Sequence, residues 1–288
     1  MLALLASAQG RASAAVEPLT LYQKIARAPL VVRARALSDA TRRPRVEVTE
    51  VFKGSPPSRI LTVAPHLEDQ ASPTPWLKRE VFHKGEESIL FLTPYLDEFG
   101  RDEGPDTFAL LNADQGKLEV PSEGADALVE ALRRIVAVNS LSQHDLQAEA
   151  LRGMLGDRNP YLVEAALTEC AKFRLAESGD IGRLMVLIEN RRDSFRAGSL
   201  ALVAQVLTDA SASGRDAVEG RAAVFEKIAA TARLDSSELV RTRAVDAIEA
   251  FADRPALSLL ENIGVKDASQ SVRYAAQVGA YRLREKLH

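Results

Sequence analysis

The stretch KDASQSVRYAAQVGA, residues 266–280, repeats the pattern of RLDSSELVRTRAVDA, residues 233–247, and the two Asp residues lie 32 positions apart. Each copy contains an Asp, a Val-Arg pair five residues later, and then an Ala. Apolar residues at intervals of three and four surround both copies, which indicates amphipathic helices. Two interpretations compete: an acid–base pair that reacts with a substrate, and a contact that fastens successive structural units.

Helical periodicity extends from residue 122 to the end of the chain, in segments that come in pairs. If Val163, Phe195, Val240 and Val272 are taken as equivalent anchors, the repeat spacings are 32, 45 and 32 residues. The middle spacing is enlarged by the insertion TDASASGRDAVEG. A two-helix unit at this period predicts an α-solenoid of about four helix pairs over residues 122–288.

The repeated motif also resembles a known family. Residues Asp235, Val240, Arg241 and Ala244, and again Asp267, Val272, Arg273 and Ala276, match the inner motif of HEAT repeats, including the short type of phycobilin-lyase-like proteins. The resemblance implies a stack of helical hairpins. The first repeat departs from the motif, because Glu164 stands where the Arg is expected.

Repetition favours the structural interpretation of the Asp and Arg residues. An Asp before a helix can cap its free N–H groups, and an Arg one turn into the helix can reach the Asp of its own or the adjacent repeat. A reacting pair is needed only once, in a cleft beside a substrate. We therefore predict a structural ladder at Asp235, Arg241, Asp267 and Arg273.

Residues 16–121 have a different pattern, with one short helix in LTLYQKIARA followed by five or six short strands. In RVEVTEVF the inward-facing set is Val46, Val48 and either Val51 or Phe52, which requires a β-bulge near Glu50. Strands of this number and length predict a small closed or partly open barrel. The fold class predicted for the whole chain is α+β, with an N-terminal small antiparallel β-barrel and a C-terminal all-α solenoid.

The segments ARAPLVVRARALS, VEVTEVFKG, FHKGEESILFL and QGKLEV, in this order, resemble the OB-like or netrin-like β-barrel domains of exported bacterial proteins. The turns Lys53-Gly54, Lys84-Gly85-Glu86 and Gln115-Gly116-Lys117 are predicted to be hairpin turns, because none has the spacing of a phosphate-binding loop. Inhibitor members of the netrin-like group use an amino-terminal cysteine, which this sequence lacks at that place. Protease inhibition is therefore not implied.

Composition and charge argue against several function classes. The 288 residues carry a net charge of −3, with 14 basic against 16 acidic residues in 16–121 and 22 against 24 in 122–288. Neither part has the basic excess expected of a nucleic-acid-binding domain. The four histidines are scattered and the single cysteine, Cys170, fits a small core position, so no metal, cofactor or catalytic residue is predicted.

The first residues predict export. In residues 1–15 the apolar run LALLA is followed by Ala12-Ser13-Ala14, a small-x-small pattern that fits signal peptidase. The stretch lacks a basic segment and is shorter than a usual signal, which indicates a partial signal peptide and leaves the position of the true start codon open. The alternative interpretation is a disordered terminus. No later segment is long and apolar enough to span a bilayer, so no membrane insertion of the mature chain is predicted.

Candidate partner contacts are predicted at the end of the solenoid. Positions two, six and nine after each anchor should face outward, and only the final repeat has large apolar groups there: Tyr274, Val278 and Tyr281. These residues either contact another protein or a second copy, or are covered by the chain itself. Trp76, in the loop LEDQASPTPWLKRE, is either a second contact residue or a cap on the barrel end.

The predicted function is a non-catalytic protein–protein interaction or scaffold protein of the bacterial cell envelope. One alternative is a lyase-like or enzyme accessory protein that holds a small ligand, such as a tetrapyrrole, in the solenoid groove. That alternative would be favoured by a cysteine or a cluster of histidines on the groove. Another is a purely structural element of an envelope assembly.

Overall fold

A computed structural model describes residues 19–39, 43–64, 82–96, 103–112, 115–212 and 220–288. A short helix, α1 (Leu21–Arg27), comes first and is followed by the strands of one sheet. These are β1 (Leu30–Ala36), β2 (Arg45–Lys53), β3 (Ile60–Ala64), β4 (Glu87–Pro94), β5 (Thr107–Leu110) and β6 (Lys117–Glu119). The helices that follow are α2 (Ala125–Asn139), α3 (His144–Met154), α4 (Pro160–Phe173), α5 (Ile181–Leu187), α6 (Asp193–Ala212), α7 (Arg221–Leu234), α8 (Glu238–Glu249), α9 (Arg254–Lys266) and α10 (Gln270–Leu287).

The strands close into a barrel in the order β1-β2-β3-β5-β4, with β4 pairing back onto β1 and β6 added on β4. The predicted fold class, a small OB-like barrel followed by a helical solenoid, is confirmed. One detail differs from the all-antiparallel expectation, because β3 and β5 pair in parallel. A closed ring of five strands cannot alternate direction throughout, so one neighbouring pair must be parallel.

A bulge in β2 allows its apolar residues to reach the core. Arg33 of β1 lies opposite Glu50, whereas Ala34 lies opposite Val48, so one extra residue is accommodated in β2 between them. A second register shift follows near the end of β2. Val51, between the two shifts, is 43% exposed, while Phe52, at the second shift, packs against the core, which resolves the predicted alternative in favour of Phe52.

The first half of β1 and the centre of β4 are buried on both faces. Val32, Leu90 and Leu92 point into the barrel, whereas Val31, Ile89 and Phe91 belong to a core that they share with α1 and the solenoid helices. This double burial explains why LVV in β1 and ILFL in β4 are continuous apolar runs, whereas the rest of β1 alternates. The barrel and the solenoid are therefore joined by one hydrophobic core.

Helix α1 is held between the barrel and the solenoid. Lys53 donates from Nζ to the carbonyl of Ile25 at 2.7 Å, at the C-terminal end of α1. At the other end, Thr20 Oγ1 and Gln23 Nε2 each donate to Glu169 Oε1 on α4 at 3.0 Å. Glu169 is only 1% exposed, so its carboxylate depends on these donors and α1 is bound to the first repeat.

The solenoid consists of four helix pairs, α3/α4, α5/α6, α7/α8 and α9/α10, preceded by α2. The second helix of each pair begins three residues after Asp157, Asn190, Asp235 or Asp267. The residue five positions after each of these is therefore the equivalent anchor, which gives Leu162, Phe195, Val240 and Val272 with spacings of 33, 45 and 32 residues.

The predicted register of the first repeat, anchored on Val163, is therefore wrong by one residue. Val163, and not Glu164, occupies the position of the Arg. The wrong register also predicted that Ala165 and Glu169 face outward, although they are 2% and 1% exposed. In the correct register the outward positions are Glu164, Thr168 and Ala171, of which the first two are exposed and the third is partly buried.

Candidate interaction surface

Arginine–aspartate pairs connect successive repeats. Arg241 on α8 donates from Nε and Nη2 to the two carboxylate oxygens of Asp267 at 2.9 and 3.1 Å. Arg196 on α6 makes the same bidentate contact with Asp235, at 2.9 Å for both bonds. Each Arg thus reaches forward to the Asp that precedes the second helix of the next repeat.

The third guanidinium nitrogen anchors each Arg to its own repeat. Arg241 Nη1 donates to the carbonyl of Asp235 at 2.8 Å, and Arg196 Nη1 donates to the carbonyl of Asn190 at 3.0 Å. These bonds satisfy carbonyl groups in the turn before the helix and fix the guanidinium plane. One edge of the guanidinium therefore binds its own repeat, and the other edge binds the next repeat.

The sequence suggested that the aspartates cap the helices directly, but they do not. Asp235 Oδ1 accepts from the backbone N–H of Ser237 at 2.9 Å, and Asp267 Oδ1 accepts from that of Ser269 at 2.7 Å. Ser237 and Ser269 are the N-cap residues, so each Asp orients the cap from two residues before it. Burial raises the pKa of both carboxyls, but the Arg and backbone donors outweigh it and lower the pKa of each below its usual value.

Two features of the ladder were missed by the sequence reasoning. Arg134 on α2, outside the repeats, donates to Asp157 at 2.6 Å and extends the ladder toward the barrel. No motif signals this contact, because Arg134 lies in no repeat. We call each Arg–Asp contact between successive repeats a rung of the ladder. At the rung between the first and second repeats, Val163 stands at the Arg position and Asn190 at the Asp position, so neither side chain is charged.

Arg273 on α10 makes the bonds to its own repeat that Arg241 and Arg196 also make. Its Nη1 donates to the carbonyls of Asp267 and Ala268 at 2.7 and 3.0 Å. No carboxylate in the part of the chain that the structure describes accepts a hydrogen bond from its Nε or Nη2. Arg273 is therefore positioned like Arg241 but binds no carboxylate among the described residues.

The predicted partner-contact residues lie beside Arg273, on the outer face of α10. We call Tyr274, Val278 and Tyr281 the C-terminal stripe. Tyr274 is 69% and Tyr281 63% exposed, whereas Val278 is partly buried. The described residues therefore leave both aromatic rings largely uncovered, while the opposite face of α10 packs against α8 and α9.

A desolvated carboxylate lies next to the stripe. Glu249 at the end of α8 is partly buried and lies close to Gly279 of α10, where an added Cβ would be 3.1 Å from Glu249 Oε2. Burial raises the pKa of Glu249, although the positive charges of Arg282 and Lys286 oppose this shift. The bare backbone at Gly279 therefore makes room for a carboxylate on the surface shared by α8 and α10.

The predicted hairpin lysines have structural partners. Lys117 lies 2.7 Å from Glu86, with its ammonium over the Phe82 ring and its side chain 4% exposed. Lys53 is bound to the end of α1, as described above. Gly54, at φ +79°, lies where an added Cβ would be 2.4 Å from the carbonyl of Pro29, so only glycine fits this turn. The geometry gives these two lysines structural roles in the barrel.

The described residues give little support for a cysteine nucleophile or a metal site. Cys170 is fully buried, and this burial raises the pKa of its thiol to about 12, so it is not an activated nucleophile. Within the described ranges no group of three or more potential ligands could hold a metal ion. Among the described helices, none has the length and hydropathy of a membrane span.

Two of the open clefts lie on the described part of the solenoid. One, of about 440 Å³, lies between α7 and α9 and is lined by Phe225, Arg233, Leu259 and neighbouring residues. The other, of about 570 Å³, lies where the turn before α4 meets α2 and is lined by Glu130, Asp157 and Arg158 among others. Neither cleft contains a combination of residues that indicates a reaction. Trp76 and residues 1–15 lie outside the described part of the chain.

Comparison with solved structures finds similarities to helical-repeat proteins. No protein-family model matches the sequence, and no curated protein matches it. A designed armadillo repeat protein in complex with the peptide (KR)4 is 17% identical over 54% of this chain and 75% of its own, with a TM-score of 0.39. A computationally designed armadillo repeat protein for modular peptide recognition is 16% identical over 56% of this chain and 78% of its own, also with a TM-score of 0.39. Similarities this distant carry no conclusion about this chain.

Proposed function

We propose that this protein is a non-catalytic scaffold whose solenoid binds another polypeptide through the C-terminal stripe. The observation that carries the proposal is the pair of exposed tyrosines, Tyr274 and Tyr281, on a helix whose other face is packed in the repeat stack. Tyrosine combines a large apolar ring with a polar tip and is enriched at protein interfaces. A rigid helix that presents two such rings loses little conformational entropy on binding.

The ladder supports a scaffold role because its ionisable side chains are engaged in bonds between repeats. Arg196 and Arg241 are each saturated by a carboxylate and by backbone carbonyls. The Arg and Asp side chains that resemble an acid–base pair in the sequence therefore hold the repeats together. A groove that tethers a tetrapyrrole through a thiol has less support, because Cys170 is buried in the core.

We also propose that the protein is exported to the cell envelope. The support is the apolar run followed by Ala12-Ser13-Ala14 in residues 1–15. Amino-terminal sequencing of the native protein tests this, with a start near Ala15 as the expected result. An intact Met1 on a cytoplasmic product would contradict the proposal.

The scaffold proposal is tested by the double variant Tyr274→Ala, Tyr281→Ala. Both side chains are exposed, so we expect an unchanged circular dichroism spectrum and thermal midpoint. Pull-down from an envelope extract should lose the proteins that the unaltered chain retains. Phe173→Ala on α4, which removes a ring that is 51% exposed, is the matched control and should leave binding intact. Equal recovery of partners by the double variant would refute the assignment of the stripe.

A further inference from the structure

Arg273 is preorganised to bind a carboxylate. In α6 and α8 the same Arg position uses Nη1 for local carbonyls and the Nε–Nη2 edge for an aspartate. Arg273 retains the local bonds, at 2.7 and 3.0 Å, which hold its guanidinium in place. A planar guanidinium that is fixed at one edge presents two parallel donors at the other, and this geometry matches a carboxylate.

Glu285 is the one carboxylate of the last helix pair without an ion-pair partner among the described residues. The other two carboxylates are occupied, because Glu261 accepts from Arg284 at 2.6 Å and Asp267 is bound by Arg241. Glu285 is exposed and lies four residues after Tyr281. At this helical spacing it continues the C-terminal stripe.

The spacing of these groups along α10 makes the surface self-complementary. Arg273 lies six residues before Gly279, and Glu285 lies six residues after it. If two α10 helices pack antiparallel with the two-fold axis level with Gly279, Arg273 of each copy lies level with Glu285 of the other along the helix axis, and the two long side chains bridge the width of the contact. This arrangement also brings each Glu285 to the N-terminal end of the facing helix, where the helix dipole favours a negative charge.

We propose that the occupant of the C-terminal stripe is a second copy of this chain. The two α10 helices pack antiparallel about a two-fold axis, with Tyr274, Val278 and Tyr281 of both copies in the centre. Arg273 of each copy binds Glu285 of the other, which completes the last rung of the ladder in trans. This inference rests on the proposed function, because it names the partner of the same surface. A two-fold contact requires a self-complementary surface, which this one is.

Charge and size set the expected strength of the contact. The nearby cations Arg282 and Arg284 lie 3.7 and 2.6 Å from Glu249 and Glu261 of the same chain, which limits repulsion between the copies. A contact made by one helix of 18 residues from each copy belongs to the small, weak class of interfaces, below about 1,200 Å². We therefore expect reversible dimerisation with a dissociation constant in the micromolar range, weakened by salt.

Charge reversal tests the inference in the purified full chain. Sedimentation equilibrium from about 1 to about 500 µM brackets the affinity of such an interface, and the unaltered protein should shift from monomer to dimer. Arg273→Glu and Glu285→Arg, tested separately, should each weaken self-association about tenfold, since two ion pairs per dimer become repulsive. An equimolar mixture of the two variants should form heterodimers with about the affinity of the unaltered protein.

Two controls separate charge pairing from general effects. Arg59→Glu makes the same charge change on a barrel side chain that is 76% exposed and should not alter self-association. The side chain of Glu285 has no hydrogen bond or ion pair with the described residues, so Glu285→Arg keeps the test decisive even if Arg273→Glu fails to fold. A monomeric protein at all concentrations, or a mixture that stays monomeric, would overturn the inference. If the tyrosine double variant then still lost another protein in pull-down, the proposed scaffold function would stand while the second copy as occupant would not.

Discussion

Replacing Arg241 by Ala tests how much the bond between repeats contributes to stability. The side chains of Arg241 and Asp267 are only 13% and 6% exposed, and two hydrogen bonds join them. The variant leaves the Asp267 carboxylate largely desolvated, with the N–H of Ser269 as its remaining donor. Removing one partner of a buried ion pair costs several kcal/mol, so for this partly buried pair we expect a loss of about 3 kcal/mol.

Arg273→Ala is the matched comparison, because Arg273 makes the same local bonds without the carboxylate. Its loss should cost about 1 kcal/mol in a monomeric sample, the value of its carbonyl bonds alone. Arg243→Ala removes a pair with Asp246 at 3.2 Å on an exposed face of α8 and should change stability little. Urea unfolding at low protein concentration, followed by far-ultraviolet circular dichroism, measures all three. Equal costs for Arg241→Ala and Arg273→Ala would refute the claim that the bond between repeats carries the stabilisation.

Two further predictions concern the same ladder. The pKa values of Asp157, Asp235 and Asp267 are lowered in the folded protein, so their contribution is fully present above the unfolded value near 3.9 and is lost as the pH falls through the folded values. Thermal midpoints should therefore fall steeply below about pH 4, and less steeply in Asp267→Asn; identical slopes would contradict this origin. In a double-mutant cycle, Arg196→Val with Asp235→Asn copies the uncharged rung of Val163 and Asn190, and it should be at least about 1 kcal/mol less destabilised than the sum of the single changes. Strict additivity would show that the two residues are not coupled.

The sequence predicts the features of this fold that come from periodic patterns better than those that depend on how distant parts of the chain are placed. Apolar periodicity predicts the helices, and the apolar runs LVV and ILFL mark two strands, but neither pattern gives the strand order. The parallel pairing of β3 and β5 follows from closing five strands, a property of the whole ring. The register of the first repeat was wrong because Val163 matches Val240 in residue type, whereas Leu162 matches it in distance from the preceding Asp.

The candidate site shows the same division between repeated and unique contacts. The Asp and Arg motif could be found because it recurs, whereas the contacts of Arg134, which lies outside the repeats, and of Glu169, which lies in the first repeat, each occur once and left no pattern. The exposure of Tyr274 and Tyr281 depends on what covers α10, which periodicity on one helix cannot specify. Their position on the helix was predictable, but the absence of a covering element among the described residues was not.

The ladder also shows why the end of the stack differs from its interior. Inside the stack, Val245 of α8 is 1% exposed beneath the last repeat, whereas its equivalent on α10, Gln277, is exposed and donates to the carbonyl of Gly264 at 2.7 Å. That polar residue suits a repeat with no described neighbour stacked on it. The tyrosines on the same helix differ, since α8 has the polar residues Thr242 and Glu249 at the equivalent positions. The last described repeat is thus polar at Gln277 and apolar along the C-terminal stripe, which favours a narrow, helix-sized contact at the stripe.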